Sequence, residues 1–162
     1  MKKKLKILAM IPARIGSERL KYKNLALINN KPLISFAINA AKKSKIFDEI
    51  YINSDNNIFS KIAERYKVNF YKRPSRLGGS NIRSDIVVYD FIKKNNCDIL
   101  VWINPIAPLQ SPNEINDVVN YFIKKKYESL ITTNKKQVHA NYLNKPINYN
   151  QNSSFLKHLM YH

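Results

Sequence analysis

The sequence predicts an α/β fold, an open and mostly parallel sheet with helices on both faces, and three observations lead there. Short apolar runs of strand character alternate with stretches whose apolar residues fall at helical spacing. The alternation repeats over most of the 162 residues, and repeated strand, helix, strand units favour parallel pairing through right-handed crossovers. The first run, Leu5 to Ile11, is apolar almost throughout and ends at a proline, as expected for a buried strand opening into a loop. In such a sheet, ligands bind at the C-terminal ends of the strands.

The loop after this strand is expected to run to about Asn30. Behind Lys31-Pro32, the residues Leu33, Ile34, Ala37, Ile38 and Ala41 form the apolar stripe of an amphipathic helix, and Lys42, Lys43 and Lys45 suit the negative end of its dipole. Glu49 to Asn53 reads as a second strand. Ile58, Ile62, Ala63 and Tyr66 fall on one face of a second helix, and Val68 to Tyr71 reads as a third strand. Ser84 and Asp85 suit the start of a third helix carrying Val87, Val88, Phe91 and Ile92, and Ile99 to Ile103 is the next strand. Ser111-Pro112-Asn113-Glu114 combines a capping box with proline at the first helical position, ahead of the stripe Ile115, Val118, Val119 and Phe122. Glu128 to Thr133 resembles one more strand. The expected organisation is a nucleotide-binding α/β domain over residues 1–133, then a poorly patterned tail over 134–162.

Composition narrows the class. With 44% hydrophobic and 24% charged residues, and no stretch near the ~20 apolar residues that cross a bilayer, the chain reads as a non-membrane globular protein. Met1 to Lys6 is basic, but Ile7 to Ile11 is too short for a signal-peptide core, so a cytoplasmic location is expected. Cys97 is the single cysteine and has no second thiol for a disulfide or metal site; it reads as a small hydrophobe. The formal charge of +17 favours anionic partners, but lysines scattered among asparagines and isoleucines look like biased usage rather than a basic stripe. No nucleic-acid motif accompanies the charge, so neither nucleic acid nor membrane is an expected partner.

The chemistry concentrates in the first loop, from Pro12 to Asn24, where Arg14, Arg19, Lys21 and Lys23 stand beside turn-forming Gly16 and Ser17. A polyphosphate is a fitting ligand for such a loop. It lacks the ending of a Walker A loop and the triple glycine of a dinucleotide fingerprint, which disfavours both classes.

This loop, Lys31-Pro32-Leu33-Ile34, Phe47-Asp48, Asn53-Ser54-Asp55, Arg73-Pro74 and Pro105-Ile106-Ala107-Pro108-Leu109 together resemble, in order, the pattern of the acylneuraminate cytidylyltransferases. The likeness covers roughly Lys6 to Thr133, and Lys23-Asn24 favours the sialic-acid type, the CMP-N-acylneuraminate synthetases. The resemblance implies a Rossmann-like nucleotidyltransferase fold and a transferase that joins CTP to an acidic nonulosonic sugar. It implies magnesium as cofactor, CTP and the sugar as partners, and a homodimer. Arg14 and Lys23 are then the catalytic candidates, contacting phosphates. Asn24 would bind the nucleotide, and Arg73 and Ser84 would contact it from the other side of the cleft.

For each residue a plainer reading stands alongside. Ser84 is equally a helix cap, Asn24 a turn former, and Arg14, Lys23 and Arg73 solvated charges. Asp55 either caps the next helix or shapes the site, with capping preferred. His139, His158 and His162 lack metal-ligand spacing and take no role. Two departures matter. Asn104 stands where the family commonly has glutamine, keeping the amide with a shorter reach, so a sugar or nucleotide contact is expected there with altered preference. Family members continue into strands that supply an aspartate pair for the metal, whereas no Asp or Glu follows Glu128. The chain is therefore read as an incomplete copy, with a non-catalytic nucleotide-binding or assembly subunit as the alternative.

Overall fold

The sheet is built around β1 (Ile7–Pro12), a strand buried from Ile7 through Ile11, which explains why its sequence is apolar on both faces. In this computed structural model, which describes residues 4–17, 20–133, 141–143 and 145–146, β4 (Glu49–Ser54), β5 (Asn69–Lys72) and β6 (Ile99–Trp102) complete a four-stranded sheet. Its order is β5-β4-β1-β6, and every neighbouring pair is parallel. The chain steps outward from β1 to β4 and β5, then crosses back to β6 on the other side of β1. The strand order thus reverses between β1 and β6, where a crevice opens at the strands' C-terminal ends.

Helices cover both faces, as predicted. Ile7, Ala9 and Ile11 pack against α1 (Ile34–Ser44), α2 (Ile58–Tyr66) and α4 (Pro112–Lys125), through Ala37, Ile38 and Ala41, Phe59 and Ala63, and Ile115 and Val119. Alanines on α1 facing Ala9 let the helix approach the sheet closely. On the opposite face Leu8 and Met10 meet Phe91 of α3 (Ser84–Ile92), whose ring stands edge-on to Tyr51 at 5.2 Å and Tyr71 at 5.1 Å. Cys97 packs half-buried against this second layer, as its reading as a small hydrophobe anticipates.

Local signals act as the sequence suggests at α4. Ser111 Oγ accepts from the Glu114 amide at 3.1 Å, Glu114 Oε2 accepts from the Ser111 amide at 2.8 Å, and Pro112 opens the helix. The C-terminal ends of α1, α2 and α4 close on Lys45, Lys67 and Lys126, each left-handed with φ of 54 to 57°. Glycine is the usual residue there, and this chain has only 3.

Four expectations are corrected. The loop to Asn30 is structured: a 3-10 turn (Lys23–Leu25) precedes a hairpin of β2 (Leu27–Ile28) and β3 (Lys31–Pro32). Asn29 and Asn30 turn it with φ of 48° and 60°, as a two-residue hairpin loop requires. Residues 128–133 form no strand, because a strand exists only with a ladder partner, and these residues have none among the described ones. Asp55 does not cap α2; Asn56 Oδ1 accepts from the Ile58 amide at 2.9 Å instead. Ser84 is the first residue inside α3, and no side-chain cap bond forms at that helix start. The three histidines lie outside the described residues.

By contact the chain divides into Met1–Tyr127 and 128–162. Within the second unit, β7 (Asn141–Tyr142) and β8 (Lys145–Pro146) pair antiparallel.

The base of β1 is held by carboxylates. Asp48 accepts from the Ile7 amide at 2.8 Å and from Lys4 Nζ at 2.9 Å, and Asp98 accepts from the Lys6 amide at 2.7 Å. The Ile7 amide, then Lys4, holds the Asp48 carboxyl below its ordinary value. A depressed carboxyl contributes stability that is present above the unfolded-state value, about 4, and is lost as pH falls through the lower folded-state value. Urea midpoints followed by circular dichroism should therefore fall below about pH 4, and Asp48→Asn should make that fall shallower. An equally steep fall in the variant would remove Asp48 from the acid response.

Candidate functional site

The crevice at the strand reversal is a cavity of about 290 Å³, and it gathers residues from segments far apart in the chain. Pro12 and Arg14 arrive from the end of β1, Lys23 and Asn24 from the 3-10 turn, and Arg73 from the end of β5. Ser84 comes from the start of α3, and Trp102 and Asn104 from the end of β6. Arg14, Lys23, Asn24, Arg73, Ser84 and Asn104, the six residues singled out from the sequence, all line this one cavity. Parallel strands make this happen: every loop that follows a strand emerges at the same edge of the sheet.

Two loops are fixed to this edge by the backbone ladder continuing past the strands. The Ala13 amide donates to the Asn53 carbonyl at 2.9 Å, and the Arg73 amide to the Ser54 carbonyl at 3.0 Å. Asn24 is buried, and its Nδ2 donates to the Arg14 carbonyl at 3.2 Å, tying the 3-10 turn to the β1 loop. Its Oδ1 is buried without a partner. A buried unpartnered acceptor at a cavity wall suits a ligand N–H or O–H.

Arg73 is the most deeply buried charge of the site at 4% exposure. Desolvation lowers its affinity for a proton, Asp55 at 3.4 Å raises it, and nearby Arg14 lowers it again; a guanidinium stays charged throughout. Arg14 and Lys23 are half-buried, so among the described residues three cations and no carboxylate line this cavity. Such a cavity favours an anion strongly, because a partly dry wall screens charge less than water does.

Asn104 is exposed, and its Oδ1 accepts from the Ile106 amide at 3.2 Å. The oxygen therefore shapes its own turn, and the amide nitrogen is left to meet a ligand. Ser84 keeps its hydroxyl free of cap duty at the rim. Lys21, the other described cation of the first loop, lines a neighbouring hollow with Ile15, Tyr22 and Asn56. Arg19 lies outside the described residues.

Sequence reasoning missed Trp102 and the segment after β5, where Leu77, Gly79, Ser80 and Ile82 form a wall. Trp102 is 41% exposed and is the one aromatic side chain among the described residues of the lining. Gly78-Gly79 following a strand end in an α/β pattern could have flagged that wall. The donors present do not suit magnesium: hydroxyls, amides and cations line the cavity, whereas magnesium takes carboxylate and phosphate oxygens. Among the described residues no group of three His, Cys, Asp or Glu side chains converges anywhere.

Comparison with known proteins agrees with this picture. A family model described as cytidylyltransferase matches residues 8–154. The chain is 32% identical over 148 residues to the pseudaminic acid cytidylyltransferase of Campylobacter jejuni, covering 84% of this chain and 58% of that protein. It is 29% identical over 136 residues to the N-acylneuraminate cytidylyltransferase of Escherichia coli, covering 80% of this chain and 32% of the relative. It thus spans between a third and three fifths of the length of these curated relatives. Among solved structures, a CMP:2-keto-3-deoxy-manno-octonic acid synthetase complexed with CTP superposes with a TM-score of 0.67 at 19% identity, covering 75% of this chain and 48% of that one. That likeness shows the fold.

Proposed function

Because the chain belongs to the cytidylyltransferase family, we propose that it binds CTP in this cavity and contributes it to the synthesis of a CMP-sugar from an acidic nonulosonic acid. The observation that carries the reading is the convergence of six residues from five separate segments, three of them cations, on one cavity at the strand reversal. In the proposed reaction the sugar's anomeric hydroxyl attacks the α-phosphorus, the bond to the bridging oxygen of the β-phosphate breaks, and pyrophosphate leaves. Charge spreads over phosphate oxygens in that step, so fixed cations accelerate it by positioning and neutralisation rather than by covalent chemistry.

Arg14 and Lys23 are assigned to the phosphates, because both stand on the loop that leaves β1. Asn24 and Arg73 are assigned to the nucleoside side, where a buried acceptor and a buried donor stand ready. Ser84 at the rim and the Asn104 amide nitrogen complete the ligand contacts, the latter toward the sugar or the nucleotide. Magnesium is expected from the family, and it would arrive on the triphosphate; Glu18 is the one side-chain carboxylate outside the described residues.

A second reading, a nucleotide-binding subunit without turnover, is favoured by the lack of any carboxylate among the described residues of the lining. Trp102 is the chain's single tryptophan, so its fluorescence reports directly on occupancy. Titration with CTP should quench it saturably and more strongly than ATP or GTP. Pyrophosphate release from CTP and magnesium with a panel of nonulosonic acids then separates the two readings. Release supports the transferase, and binding without release supports the subunit. A tryptophan indifferent to CTP, or one that responds equally to every nucleotide, overturns both.

A further inference from the structure

The only carboxylate bonded to Arg73 among the described residues is Asp55, and the contact between them is an unusual one. Asp55 Oδ1 meets Arg73 Nη2 at 3.4 Å, a single long bond where a guanidinium and a carboxylate commonly form a two-pronged fork. Both side chains are shielded, at 5% and 15% exposure. The Arg73 Nε–H is buried and has no partner at all. A pair that existed only to neutralise a buried charge would satisfy that donor, because leaving it unmade carries a desolvation penalty.

Three chain segments hold the carboxylate in place. Asp55 follows β4 directly, and its carbonyl accepts from Lys72 Nζ across the β4-β5 pair. Behind its carboxyl stands Gly78: a Cβ at that position would lie 2.5 Å from Asp55 Oδ2 and 2.8 Å from its Cγ. Only a residue without a side chain lets the carboxylate occupy this space. Asp90, the other acid whose charge acts on Arg73, is engaged with the Tyr71 hydroxyl at 2.7 Å.

We propose that Asp55, backed by Gly78, is a positioning residue that restrains Arg73 from one side and leaves its Nε–H directed at the nucleotide. This rests on the CTP reading above and assigns a function to the third residue of the Asn53-Ser54-Asp55 segment. The conformational freedom of an arginine side chain is removed before the ligand arrives, so less is lost on binding.

Two measurements on the full chain test it. With 15N-labelled arginine, the Arg73 Nε–H should give a sharp, slowly exchanging resonance, assigned by its disappearance in Arg73→Lys. In Asp55→Ala and in Gly78→Ala that resonance should broaden or vanish. CTP affinity read from Trp102 fluorescence should weaken by about tenfold in both. Asp55→Asn, which keeps an acceptor oxygen at the same reach, should recover part of the loss and serves if the alanine variant fails to fold. An unchanged resonance in the Asp55 variants overturns the proposal. So does CTP affinity unchanged in those variants while Arg73→Lys weakens it. A wild-type chain that ignores CTP overturns the nucleotide reading instead, and the resonance alone then decides whether Asp55 restrains Arg73.

Discussion

Replacing Arg73 with alanine should weaken CTP binding by about a hundredfold, more than any other single change in the cavity. A charge-assisted hydrogen bond contributes about 1.5–3 kcal/mol, and a buried donor is neither screened by salt nor hydrated while it waits. Arg14 and Lys23 are half-buried, so solvent discounts their individual contributions. The alanine variant also removes the ion-pair partner of the Asp55 carboxylate, which is 15% exposed, so some stability is lost with the affinity. Arg73→Lys separates the two effects, because it keeps the charge and loses the planar fork. The readout is a Trp102 titration on samples whose fold is first checked by circular dichroism. An affinity within threefold of wild type would place the nucleotide elsewhere.

The largest effect on stability is expected from Phe91→Ala, at about 3–5 kcal/mol. Phe91 is fully buried and packs against Tyr51, Tyr71 and the Leu8 and Met10 side of β1. Domains are stable by about 5–15 kcal/mol in total, so this loss removes a large share of the reserve. The opposite layer has three helices and many more buried side chains, so it tolerates a comparable truncation better. Urea unfolding measures the difference. A cost below about 1.5 kcal/mol would mean that α3 settles inward to fill the space.

Much of this was legible in the sequence because it rests on periodicity and order. The buried β1, the helices on both faces, the α4 capping box and the six cavity residues all follow from patterns within about fifteen residues or from the resemblance. What escaped depends on contacts that no local pattern encodes. Asp55 and Arg73 are 18 residues apart and meet only because β4 and β5 pair in one register. Gly78 looks like turn punctuation until the carboxylate behind it is known. Trp102 reads as one more strand residue, and its place at the cavity follows from the side of β6 that its position faces. The β2-β3 hairpin is two residues a side, too short for any period, and only the Asn29-Asn30 pair announced it.

The lysine-closed helix ends have an electrostatic consequence. Within residues 1–127, α1, α2 and α3, the last followed by Lys93 in right-handed conformation, each leave the cavity edge and run back to the start of the next parallel strand, so their final residues gather at the opposite edge of the sheet. Lys42, Lys43 and Lys45, Lys67, and Lys93 and Lys94 therefore form a positive pole remote from the cavity. Much of the +17 charge contributes little to guiding a nucleotide inward, since fields over that distance are screened at cellular ionic strength.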